Sequence, residues 1–243
     1  MSLQFEGKTA IVTGSSRGIG RAIAERLAAG GAAVVINYLE NGQRAAEVVD
    51  EIRAKGGKAV AIRADLSKLS EIRRLFDEAE QAFGKLDIVV ANAATAVIKP
   101  LVESTEEDYD RVFNTNTKGV FFTLQEAARR VRDGGRIVVT STGGTKMFFS
   151  ETSLYLGSKG AVEQFVRVLS RELGSRNITV NAVSPGFTDT ELLPERDRAV
   201  AAGMSPFGRI GSPEEVAEVT TFLASDAARW VTGQNVGAGG GVF

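Results

Sequence analysis

Thr13-Gly14-Ser15-Ser16-Arg17-Gly18-Ile19-Gly20 separates two apolar patterns with different periods, and that junction constrains the fold more than any other stretch. Before it, residues 8–13 are short, apolar and rich in β-branched side chains, as a buried parallel strand requires. After it, Ile19, Ile23, Ala24 and Leu27 recur at helical spacing, with Arg21, Glu25 and Arg26 on other faces. A glycine-rich loop between a strand and the start of a helix forms an anion site. Its unpaired N–H groups and the positive end of the helix dipole point the same way. The spacing Gly-x-x-x-Gly-x-Gly predicts a tight turn that binds a nucleotide pyrophosphate.

The same alternation runs along the whole chain. Strand-like runs lie at 8–13, 33–37, 58–63, 86–91, 135–141, 177–183 and 234–236. Helical patterns lie near 18–29, 41–55, 68–83, 105–131, 153–173 and 212–225. Thr105–Asp108 and Ser212–Glu215 read as helix starts, the second with proline at its first helical position. This rhythm predicts an α/β fold, a single-domain Rossmann-type doubly wound parallel sheet of seven strands with helices on both faces. One domain spanning 1–243 is expected, with a lid at 187–211, an irregular stretch after Pro185 that holds Pro194, Pro206 and several glycines. Ligands of such a sheet bind beyond its C-terminal strand ends, where the loops after residues 13, 37, 63, 91, 141 and 183 should gather.

Composition removes several chemistries. The chain has no histidine and no cysteine, so Ser-His-Asp triads, thiol nucleophiles and His- or Cys-ligated metals are excluded, and no metal site is expected. A net charge of −1 without long runs of either sign argues against nucleic-acid partners and polybasic membrane surfaces. No stretch approaches the ~20 apolar residues of a membrane span, and a soluble cytoplasmic protein is the expectation. A general acid must then be a carboxylate, a lysine or one of the three tyrosines, Tyr38, Tyr109 and Tyr155. Tyr155 and Lys159 stand at i and i+4, on one helix face and just beyond a strand end. The pattern is common by chance, and only its place in the chain gives it weight.

With these motifs in order, the chain resembles the short-chain dehydrogenase/reductase family over residues 5–243. The glycine loop matches the family's cofactor loop, Tyr155/Lys159 its catalytic pair and Asn92-Ala93-Ala94 its Asn-Ala-Gly motif. Asn116 matches its active-site asparagine, and Pro185-Gly186-Phe187-Thr188-Asp189-Thr190 its Pro-Gly motif. Among subfamilies, Phe5–Lys8, Ile178–Asn181 and Pro206–Arg209 make it most similar to 3-oxoacyl-[acyl-carrier-protein] reductases. The resemblance implies a ketone reductase with Tyr155 as proton donor. Lys159 would support the phenolate and hold the ribose, and Asn116 would position a relay water. It also implies adenine contacts at Asp65 and Leu66, nicotinamide contacts at Phe187, Thr188 and Thr190, and a homotetramer built on the helices near 105–131 and 153–173.

Two positions depart from the family pattern. The residue that holds the substrate oxygen, usually serine, is Thr142, with Ser141 beside it as the alternative. Ala94 adds a methyl where glycine is usual. Charge argues for NADP(H). The second strand ends in Asn37-Tyr38, with no carboxylate to accept from a ribose 2′-OH, and Arg17 suits a 2′-phosphate.

The substrate is expected to be a 3-oxoacyl thioester, with or without acyl carrier protein, or a related small or aromatic ketone. Phe148, Phe149, Leu192, Leu193 and Met204 are candidate pocket or lid residues. Arg129, Arg130 and Arg132 form a basic group that suits either a carrier surface or a solvated helix face. The competing activities are an alcohol, sugar or steroid-type dehydrogenase, a non-catalytic NADP sensor and an enoyl reductase. Relatives of the last usually space tyrosine and lysine more widely.

Overall fold

The computed structural model describes residues 4–147 and 149–243. Seven strands form one all-parallel sheet in the order β3-β2-β1-β4-β5-β6-β7. They are β1 (Thr9–Val12), β2 (Ala33–Tyr38), β3 (Lys58–Arg63), β4 (Leu86–Ala91), β5 (Val131–Thr140), β6 (Thr179–Pro185) and β7 (Asn235–Ala238). The order reverses between β1 and β4, so the crevice at this switch point lies at the C-terminal end of β1, where the glycine loop begins.

The central strands β1, β4 and β6 are buried along their whole length, which is why they read as continuous apolar runs rather than alternating ones. Alternate residues still face opposite layers. Ala10, Val12, Val34 and Ile36 pack with α1 (Gly18–Ala29), α2 (Gly42–Ala54) and α8 (Pro213–Leu223). Ile11, Val35 and Val89 pack on the other side with α3 (Leu69–Phe83), α5 (Val120–Arg130) and α6 (Ser153–Glu172). Both helix starts read from sequence form reciprocal capping boxes, Thr105 with Asp108 and Ser212 with Glu215.

Two elements differ from the sequence reading. The helix expected over 105–131 is α4 (Glu106–Phe113) and α5 joined by a π-helical turn, Asn114–Gly119. Helical periodicity passes through such a turn almost unchanged, but the extra residue re-aims Asn116. Segment 187–211 also contains a helix, α7 (Arg198–Met204), seated on the buried Ala201.

Candidate active site and cofactor cradle

The glycine loop is shaped by contacts that leave no room for side chains. At Gly14, φ is +62° and a Cβ would stand 2.8 Å from the Cα of Ala93. A Cβ on Gly20 would strike the carbonyl oxygen of Gly14 and lie 2.5 Å from Asn92 Nδ2. The first turn of α1 thus lies directly on the loop, with its free amides at the crevice. Ser15 is buried, its hydroxyl donating to the Val12 carbonyl at 2.7 Å, whereas Ser16 and Ile19 are half-buried at the loop surface.

A belt of hydrogen bonds crosses the strand ends. Asn37 Oδ1 accepts from Gly14 N at 3.1 Å, and its Nδ2 donates to the Ala64 carbonyl at 3.3 Å. Asn92 Nδ2 donates to the carbonyls of Thr13 and Gly14 at 3.0 and 3.2 Å. Thr13 Oγ1 accepts from the backbone N–H groups of Asn92 and Ala93 at 2.9 and 3.0 Å. Thr140 Oγ1 donates to Asn92 Oδ1 at 3.2 Å, and the Thr140 carbonyl accepts from Lys159 Nζ at 2.7 Å. The side chains of Asn37 and Asn92 are therefore spent on holding the cradle, from β3 across to α6.

At the far end of the belt, α6 carries Tyr155 and Lys159 on one face. Lys159 is fully buried, and burial lowers its pKa from 10.5 to about 8. Burial pushes the Tyr155 phenol up, and the Thr142 hydroxyl bonded to it pulls the other way. Ser141 faces elsewhere: it is buried, and its hydroxyl donates to Glu163 Oε1 at 2.8 Å, beside Thr145 at 2.7 Å. Successive residues leaving a strand point to opposite sides, so only one of the two hydroxyls reaches the tyrosine.

Asn116 is completely buried in the π turn. Its Oδ1 accepts from Thr95 N at 2.9 Å, and its Nδ2 donates to the Thr95 carbonyl at 2.8 Å and to Ser158 Oγ at 3.0 Å. The turn is thereby locked to the residue just before Lys159.

The remaining candidates are more dispersed. Asp65 is held ionised below its usual range; partial burial opposes this, but hydrogen bonds from Ser67 and Lys68 outweigh it. Leu66 is buried beside it, and Tyr38 packs half-buried on the core. Pro185 ends β6, Thr188 is buried with its hydroxyl on the Gly186 carbonyl at 3.1 Å, and Thr190 lies against Gly18. Phe187 meets Phe149 edge to face with ring centroids 5.7 Å apart. Ala94 is exposed, as are Leu192 and Met204, while Leu193 is half-buried. Phe148 lies outside the described residues.

The sequence reading did not single out Glu163, Ser158, Thr140, Arg44 or Glu191. Arg44 had a signal available, as the first cation after the acid-free end of β2.

Comparison with known proteins gives the chain's family. Residues 14–242 match a family model described as enoyl-(acyl carrier protein) reductase. The chain is 43% identical to the short chain dehydrogenase claC of Passalora fulva, over 98% of this chain and 95% of that one. It is 46% identical to a hydroxynaphthalene reductase-like protein of Metarhizium majus, over 97% and 94% of the two chains. Among solved structures, the angucycline C-6 ketoreductase LanV with bound NADP superposes with a TM-score of 0.93 at 41% identity, covering 98% of this chain and 96% of that one. A dehydrogenase/reductase from Sinorhizobium meliloti gives 0.96 at 40% identity, covering 99% and 97%. With these relatives spanning almost its whole length, the chain belongs to the short-chain dehydrogenase/reductase family.

Proposed function

We propose that the chain is an NADPH-dependent ketoreductase acting on a planar aromatic ketone. The observation that carries this reading is the Tyr155 phenol, bonded to the Thr142 hydroxyl one helical turn from the buried Lys159 ammonium. The cradle fits a dinucleotide: the Gly14 and Gly20 contacts leave the backbone bare, and no carboxylate stands at the end of β2. Gly14–Gly20 would hold the pyrophosphate, Arg17 the 2′-phosphate and Lys159 the nicotinamide ribose. Backbone around Asn37, Tyr38, Asp65, Leu66 and Asn92–Ala94 would enclose the adenosine half, and Pro185–Thr190 the nicotinamide.

NADPH held in this cradle would supply the hydride that reduces the carbonyl carbon. Thr142 donates a hydrogen bond to the carbonyl oxygen, and Tyr155 gives that oxygen its proton, so C=O becomes CH–OH. The phenolate left behind is stabilised by the Lys159 cation and the Thr142 hydroxyl. Asn116 fixes the π turn against Ser158 and so the register of α6 beneath the pair. Reprotonation proceeds through Lys159 from solvent.

Three observations support an aromatic ketone over a carrier-bound 3-oxoacyl thioester. The hydroxynaphthalene reductase-like relatives and the angucycline ketoreductase are named for polycyclic aromatic substrates. The Phe149–Phe187 pair presents aromatic rings beside the catalytic helix. Arg129, Arg130 and Arg132 are each paired with carboxylates of Glu126, Asp77, Glu80 or Asp87, which neutralises the basic group that a carrier would dock on. The i, i+4 spacing of Tyr155 and Lys159 favours ketone over enoyl reduction.

The test is NADPH consumption with a tetralone or hydroxynaphthalenone beside acetoacetyl thioesters, run in both directions. Preference for the thioester, or faster alcohol oxidation than ketone reduction at neutral pH, would reverse the assignment. A homotetramer through the outer faces of α5 and α6, where Phe121 meets Phe122 and Phe165 edge to face, is part of the proposal and is read by light scattering.

A further inference from the structure

The corner expected to hold the 2′-phosphate contains two residues besides Arg17. Arg17 Nη1 donates to Glu191 Oε2 at 2.5 Å, and Arg44 Nη1 donates to Oε1 of the same carboxylate at 2.7 Å. One anionic group thus bridges the glycine loop, the first turn of α2 and the segment after β6. Arg44 is well placed for this, because its backbone N–H is capped by Asn41 Oδ1 at 3.0 Å at the start of α2. The neighbouring Thr190 methyl would stand 3.4 Å from a Cβ on Gly18, so the segment lies across the loop at two adjacent points.

Two guanidinium groups converging on a carboxylate are equally suited to a phosphate monoester, which offers more charge and a third acceptor oxygen. We infer that Arg44 joins Arg17 in holding the adenosine 2′-phosphate, and that Glu191 competes with this phosphate for both guanidiniums. Recognition of the phosphate then releases the segment that carries Glu191. The inference rests on the reading of this chain as an NADPH enzyme.

The contact has the properties of a displaceable latch. The three side chains are 64%, 42% and 57% exposed for Arg17, Arg44 and Glu191, and ion pairs at such exposure are weakly held. The Arg44 hydrogen bond, reinforced by the charge of Arg17, keeps the Glu191 carboxyl below its usual range, so the competitor stays ionised at neutral pH. The segment is not wedged in place. A cavity of about 370 Å³ lies beside it, between Gly18, Arg21, Thr190 and Arg198.

Calorimetric titration with adenosine 2′,5′-bisphosphate and with 5′-AMP tests this without turnover. Glu191→Gln should tighten the bisphosphate about threefold and leave 5′-AMP unchanged, while Arg44→Ala should weaken the bisphosphate about tenfold. In the double variant the gain from Glu191→Gln should shrink, because one arm of the clamp is gone. Trypsin should cut faster after Arg196 and Arg198 when the bisphosphate is present, and no faster with 5′-AMP. Unchanged bisphosphate affinity in Glu191→Gln, or equal loss of both nucleotides in Arg44→Ala, would overturn the latch while leaving the enzyme assignment standing. A wild-type protein with no preference for the bisphosphate would remove the NADPH reading and the latch together.

Discussion

The hydrogen-bonded belt and the 187–211 segment both face the crevice, yet they are built in opposite ways. Along the belt, from Ala64 through Asn37, Thr13, Asn92 and Thr140 to Lys159, backbone groups, the buried Asn37 amide and the half-buried Asn92 amide hold one another. The segment is seated by buried Ala201 and by Ser205 on the Gly240 carbonyl, but its link to the glycine loop and α2 is made by exposed ion pairs of Glu191 with Arg17 and Arg44. Arg198, with Asp189 and Glu195, ties it only to itself. Buried polar networks are rigid and costly to disturb, whereas exposed ion pairs contribute little and exchange readily. The difference assigns geometry to the belt and motion to the segment.

The largest effect should come from breaking the reactive end of the belt. Tyr155→Phe removes the group proposed to protonate the carbonyl oxygen and should lower turnover roughly a thousandfold, within the usual contribution of a general acid. NADPH affinity, measured by calorimetry, should change little. Normal turnover in this variant would move the proton transfer to another group.

Lys159 gives the next effect, through stability. Holding its pKa at about 8 rather than 10.5 costs the folded state about 3 kcal/mol at neutral pH. The sign follows from proton counting. Between the two pKa values the unfolded chain binds more protons, so the penalty is full below pH 8 and fades as pH rises to 10.5. Denaturant unfolding should therefore find Lys159→Met gaining on the wild type most near pH 7, with the gap closing toward pH 10. A gap independent of pH would mean that Lys159 is not buried as a cation. The same titration should make ketone reduction fall above about pH 8, as the charge that supports the phenolate is lost.

The seven-stranded sheet was legible from β-branched runs such as residues 86–91, and the cradle from its glycine spacing, because burial and close approach restrict residue type directly. The belt was legible only in part. Asn37 and Asn92 were recognisable as site residues, but nothing local shows that their amides turn inward to Gly14 and Thr13. The π turn escaped because one inserted residue barely alters an amphipathic pattern. Glu191 escaped for another reason: its partners lie 174 and 147 residues away, and an exposed glutamate in an irregular segment carries no periodic signal.

Thr142 and Ser141 sharpen the comparison within a single dipeptide. Thr142→Ala should cost about a hundredfold in turnover by removing a donor to the carbonyl oxygen, with the substrate KM less affected. Ser141→Ala should leave turnover within a few-fold and instead lower the melting temperature by a few degrees, since it takes one donor from the half-buried Glu163 carboxylate. The reverse ranking of rates would place Ser141 at the substrate.

The smallest effect belongs to the segment. Arg198 is paired with Asp189 at 2.7 Å and Glu195 at 2.8 Å, but those carboxylates are 59% and 92% exposed. Water competes for them in the folded protein almost as well as in the unfolded chain, so Arg198→Ala should shift global stability by less than about 1 kcal/mol. Its consequence should be local. With Asp189 released beside Thr190, tryptic cleavage after Arg196 should quicken while the thermal midpoint stays put. If the midpoint falls with the cleavage rate, the segment belongs to the same cooperative unit as the belt, and the division between a rigid frame and a moving strap fails at that residue.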